Sequence, residues 1–179
     1  MFRVLSLLLC ASLFISTQQK EFRISWKENK PLKWSDFKAS ADKASAYTAT
    51  ANTGISHKFS ITGKGVFDKN SSRVTANFYP NLSWYKPNLI DEYTLQHEQA
   101  HFDISELHAR LLRKAIAEYH FTRNSKNEIT RIYKKIEASR KAMQIRFDTE
   151  TDHSQNREKE KYWESFIKNN LLKLQRWQS

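Results

Sequence analysis

After Pro87 the chain contains neither glycine nor proline through to Ser179. A stretch that long without either breaker folds as a few long helices if it folds at all. The spacing of its other residues marks three of them. Asn88 with Asp91 three residues later makes a helix start after Pro87. Ser125 with Glu128 has the capping-box spacing for a second start, at the polar break "HFTRNSKN". A third helix runs from about Asn156. Ile129, Ile132, Ile136, Met143 and Phe147 form an apolar stripe on the second helix. Trp163, Phe166, Ile167, Leu171 and Leu174 do the same on the third.

The first half has a different period. "FRISW" alternates, as does the run from Tyr47 to Ile55, and "SRVTANFYP" sets Val74, Ala76 and Phe78 against Thr75, Asn77 and Tyr79. A period of two belongs to strands. The glycines at 54, 63 and 65 read as turn punctuation between them, and "PLKWSDF" as a turn leading into a short helix or loop. The expected fold is α+β: an antiparallel β layer over about 21–87, then three long helices over about 88–177. A chain of 179 residues with 39% hydrophobic residues suits one domain, here 20–179.

Residues 1–19 read as a signal peptide: Arg3, an apolar run from Val4 to Ile15, then small and polar residues. The run is too short for a membrane-spanning helix, which needs about 20 apolar residues. The expected location is exported, periplasmic or secreted. Cys10 follows three leucines, but Leu9 is not the small residue that a lipid-anchor site wants before its cysteine. Cys10 is the one cysteine, so removal of the leader leaves no thiol for a disulfide or a thiolate metal site. Any metal must then be held by histidine and carboxylate.

The net charge of +11 comes from basic residues scattered among acids, as in "RIYKK" and "REKEK". That pattern is a solvated surface with a weak attraction to an anionic envelope surface, and no nucleic-acid partner is expected. A monomer is expected.

The chemistry concentrates in "TLQHEQAHFDISELHARLLRKA". His97 and His101 lie one helical turn apart and 40° apart around the axis at 100° per residue, so both imidazoles can reach one ion. Glu98 projects nearby without ligating, where a carboxylate can take a proton from activated water and return it to a leaving amine. A catalytic zinc site wants a third protein ligand. Asp103 and Glu106 point to other sides of the helix, and His108 is roughly 10 Å along the axis. If the second helix returns antiparallel, positions near 145 to 150 come back beside the histidines. His153 is preferred there as the third ligand and Glu150 is the alternative. Whichever is not the ligand, with Asp152, can orient one by hydrogen bonding. Tyr93, Tyr119, Tyr133 and Tyr162 stand open as oxyanion-stabilising residues.

"LQHEQAHFDISELHAR" together with "FDTETDHSQN" resembles the bacterial domain-of-unknown-function family 922, and "LKWSDF", "TATANTGI" and "ANFYPNLSW" look like that family too. Members are described as secreted zinc-dependent proteases. The resemblance implies a zincin-like active helix with His97 and His101 as Zn2+ ligands and Glu98 as base, and the family's TxH segment matches Thr151 to His153. The expected function is an exported zinc-dependent metallohydrolase, a peptidase acting on a peptide or protein. The alternatives are an envelope binding or structural domain braced by metal, and a cell-wall peptide amidase.

Overall fold

The computed structural model describes residues 22–179. The leader read from residues 1–19 lies outside the described residues. Five strands precede three helices: β1 (Ile24–Ser25), β2 (Ala49–Thr50), β3 (Thr53–Ile61), β4 (Phe67–Phe78), β5 (Trp84–Tyr85), α1 (Glu92–Glu118), α2 (Ser125–Thr151) and α3 (Arg157–Lys173). The fold is α+β with an antiparallel N-terminal sheet, as the change of period predicts. "PLKWSDF" contains a 3-10 turn at Trp34–Asp36.

The main sheet has the order β1-β4-β3, with Ile55 opposite Ala76 and Thr53 opposite Phe78. A β-bulge lies between Lys58 and Ser60. The β3–β4 hairpin turns through residues 62–66, where Gly65 takes φ +77, a conformation that glycine adopts without a Cβ penalty. Gly54 is not a turn residue. It sits inside β3, where a Cβ would lie 3.4 Å from the Tyr79 ring.

The alternation from Tyr47 to Ile55 is likewise not one strand. β2 pairs with β5 in a separate two-stranded ribbon, and the chain changes sheet at Ala51 and Asn52 before β3 begins. Period alone cannot show which partner each half of such a run will find.

The inward faces of β3 and β4 supply Ile55, Val74, Ala76 and Phe78 to a core completed by Phe102, Ala109, Leu112 and Ile116 of α1 and Ile129 of α2. A second apolar cluster, Ile104, Phe147, Trp163 and Ile167, joins the three helices. Each such side chain contributes on the order of 1.5–3 kcal/mol by leaving water. Buried Glu106 receives Arg110 Nε at 3.0 Å and Arg113 Nη1 at 2.9 Å, while Arg110 Nη1 also donates to the Leu171 carbonyl. This pairing ties α1 to the end of α3.

Helix starts differ from the sequence reading by a residue or more. Asn88 belongs to a separate 3-10 turn, Pro87–Leu89. Asp91 is the true cap of α1, accepting from Thr94 N at 2.7 Å and Thr94 Oγ1 at 2.8 Å. Ser125 is the first residue of α2 rather than its cap, and its hydroxyl donates to the Gly65 carbonyl. Glu128 turns back to Thr122 instead, accepting from its N–H and its hydroxyl. The third helix starts at Arg157, within a residue of the reading, and Asn156 caps it, accepting from Lys159 N. Among the described residues no helix is long and apolar enough to cross a membrane.

Candidate metal centre

His97 and His101 occupy successive turns of α1, and Asp148 faces them from the last turn of α2. Asp148 Oδ1 lies 2.9 Å from His101 Nε2 and 3.4 Å from His97 Nε2. One donor atom from each residue falls within 4.8 Å of the others, a cluster that can hold a metal ion. Tetrahedral zinc with bonds of about 2 Å separates its donors by about 3.3 Å, so the spacing suits such an ion.

The outer nitrogen of each ring is fixed. His97 Nδ1 donates to Glu160 Oε1 of α3 at 2.5 Å. His101 Nδ1 donates to Gln144 Oε1, and Gln144 Nε2 donates back to the His101 carbonyl at 2.9 Å. A proton held at Nδ1 leaves the Nε2 lone pair free to face the cluster. Phe147 closes the floor, stacked on His97 at 4.6 Å and edge-on to His101 at 5.1 Å. It is completely buried. Two rotations per imidazole are thus fixed by packing and by hydrogen bonding.

Glu98 is buried beside the histidines and anchors the ribbon: its Oε2 accepts from Ala51 N at 2.5 Å, while Oε1 has no hydrogen-bond partner among the described residues. Burial raises its carboxyl above the usual range, against the pull of His101 and His97. Asp148 goes the other way. Its burial opposes ionisation, yet hydrogen bonds with His101 and His97 hold it well below the ordinary carboxylate value. Burial pushes His97 down, but Asp148 and Glu160 beside it, helped by the charge of Glu98, lift it to about 9.

The site opens into a cavity of about 890 Å³ bounded by residues 46–53, the first turns of α1, and the end of α2. Tyr93, Arg140, His153 and Arg157 also line it. Of the four tyrosines named from the sequence, Tyr93 alone reaches this cavity. Tyr133 donates to the Ile55 carbonyl, Tyr119 accepts from Arg131, and Tyr162 stacks on Phe166.

The structure brings His97, Glu98 and His101 together and sets the two expected third ligands apart from the closest triad. His153 is 42% exposed, with Nδ1 3.8 Å from Asp148 Oδ1. Glu150 faces away, accepting from Arg146 Nε at 2.6 Å and Trp163 Nε1 at 2.9 Å. Asp152 is the left-handed C-cap of α2. His108 is buried and bonds the Ile104 carbonyl, Asp103 receives Trp26 and Gln99, and Gln99 also accepts from Leu32 N. The residues missed were Asp148, Gln144 and Glu160. Gln144 and Asp148 stand four apart, the same spacing as His97 and His101, so a second i, i+4 polar pair on the returning helix was the available signal. No comparable signal marks Glu160, whose role depends on how α3 packs.

An α+β fold carrying a buried histidine–carboxylate cluster at a helix–helix seam defines the class. Residues 88–154 match the sequence model of the family described as "Bacterial protein of unknown function (DUF922)", which shows the resemblance to that family over the segment carrying His97, Glu98, His101 and Asp148. No curated protein and no solved structure matches the chain.

Proposed function

We propose that the protein is an exported zinc-dependent hydrolase acting on peptide bonds, with His97, His101 and Asp148 holding the metal and Glu98 moving the proton. The observation that carries this reading is the convergence of two Nε2 atoms and one carboxylate oxygen, each ring fixed by a hydrogen bond at Nδ1. Two imidazoles and a carboxylate are a donor set that suits zinc and leaves a position open. When bound, zinc supplies Lewis acidity that polarises a carbonyl and lowers the pKa of water.

The remaining steps belong to the chain. Glu98 Oε1, unpartnered beside the cluster, takes the proton from attacking water and returns it to the departing amine. A buried carboxylate with a raised pKa is suited to both halves of that transfer. Residues 46–53 form one wall of the cavity, and an extended peptide fits along them. Glu160 and Gln144 keep the imidazoles oriented throughout.

A bracing site without catalysis is the second reading. It is favoured by one observation: Glu98 Oε2 is already committed to the Ala51 amide, as a purely structural carboxylate would be. Incubation of zinc-loaded protein with unfolded casein separates the two. Cleavage that stops with a chelator and returns with zinc supports the enzyme; one zinc per chain with no cleavage of casein or of cell-wall peptide supports the brace. No zinc bound at all overturns both.

A further inference from the structure

Resting on the zinc-hydrolase reading, we propose that His153 is a catalytic residue and not a metal ligand: it donates a hydrogen bond to the carbonyl oxygen of the substrate as negative charge develops there. Three observations place it. The donor atoms of His97, His101 and Asp148 all lie within 4.8 Å of one another and His153 is not in that group, although its Nδ1 stands 3.8 Å from Asp148 Oδ1. It also lies on the open side: it lines the cavity and is 42% exposed, whereas Glu160, Gln144 and Phe147 close the other sides.

The second observation is the backbone. Asp152, His153 and Ser154 have φ of 49, 47 and 72, three consecutive left-handed residues without a glycine among them. Non-glycine residues pay for that conformation, and the turn persists because Asp152 N and His153 N both bond the Asp148 carbonyl. The same two bonds fix Asp148 and His153 relative to one another. A ligand and a donor serving the same reacting centre need such a fixed relation.

The third observation is the ring's setting. Tyr47 packs against His153 with centroids 4.4 Å apart, holding it over the cavity. Among the described residues its Nε2 has no hydrogen-bond partner. In the Nε2–H form that nitrogen is a donor free of any protein acceptor among the described residues, so a substrate oxygen entering the cavity need only displace water to receive it. Tyr93, which also lines the cavity, has its ring under the Arg157 guanidinium at 3.7 Å.

The test uses His153→Asn, since asparagine accepts left-handed backbone but is too short to reach the oxygen. Zinc content is measured by elemental analysis, and affinity for inorganic phosphate, a tetrahedral oxyanion, and for acetohydroxamate, a planar chelator, by calorimetry on the zinc-loaded protein. The expected result is unchanged zinc, unchanged acetohydroxamate affinity, and about tenfold weaker phosphate binding, the scale of one hydrogen bond to a charged group. His153→Gln, which keeps a donor on a longer side chain, recovers part of the loss. Loss of zinc in His153→Asn makes His153 a ligand and overturns the proposal while leaving the hydrolase reading standing. Retained zinc with unchanged phosphate affinity overturns it too. Absence of zinc from the unaltered protein removes the hydrolase reading, and the proposal with it.

Discussion

His97 Nδ1 and Glu160 Oε1 meet at 2.5 Å although 63 residues separate them, so the last long helix orients a side chain on the first. Both residues are buried, His97 at 5% and Glu160 at 8% exposure. Removing the carboxylate frees the imidazole to rotate and lowers its basicity. Glu160→Ala is expected to weaken zinc binding by about 10- to 100-fold. Competition against a chelating dye reads this directly, and an unchanged affinity would mean that Phe147 alone holds the ring.

Glu98 is asked to move a proton, so removing its charge should separate holding from reacting. In Glu98→Gln the amide oxygen can still accept from Ala51 N, which preserves the anchor to the ribbon. Zinc content should stay near one per chain while hydrolysis falls by about 10²- to 10⁴-fold, the range for general acid–base groups. Residual hydrolysis near the unaltered rate would leave the proton transfer to another group.

How much of this was legible follows from the scale of each interaction. Local signals reported well. The absence of glycine and proline after Pro87 pointed to long helices, and the start of the third near Asn156 was read to within a residue. The pair His97 and His101, with Glu98 beside them, needed only helical geometry. Antiparallel return of α2 was also foreseeable, and it brought the correct region beside the histidines. Which residue of that region faces inward was not, because a shift of two positions turns a helix by about 200°. Hence Glu150, two residues past Asp148, points to Arg146 and Trp163. The split between β2 and β3 was hidden for a related reason: alternation records a face, and the partner strand is chosen by the whole fold.

Asp148 and Glu150 offer a paired comparison on one helix. Asp148→Ala removes the carboxylate nearest both Nε2 atoms and is expected to abolish stoichiometric zinc binding. Glu150→Ala should keep the zinc and lower stability slightly, because Trp163 loses the acceptor of its indole N–H. Elemental analysis beside chemical unfolding checks both. Zinc retained by Asp148→Ala would show that the two histidines have recruited a different third donor.

Asp103 gives the pH dependence its sign. It is buried, and burial raises its carboxyl to about 6 in spite of hydrogen bonds from Trp26 and Gln99. In the unfolded chain the group returns to the ordinary value of 3.8. Between those two values the folded state keeps a proton that the unfolded state releases, so stability falls as pH rises through the window. Below about 4 the contribution is fully present; above about 6 it is gone and the curve flattens. Asp103→Asn keeps an oxygen to accept from Trp26 Nε1 and Gln99 Nε2 but carries no charge. Measured on metal-free protein, the difference in unfolding free energy, variant minus unaltered protein, should grow between pH 4 and 6 by about 2–3 kcal/mol and then stay constant. Curves that run parallel across that window would show that Asp103 ionises in the fold as easily as in water.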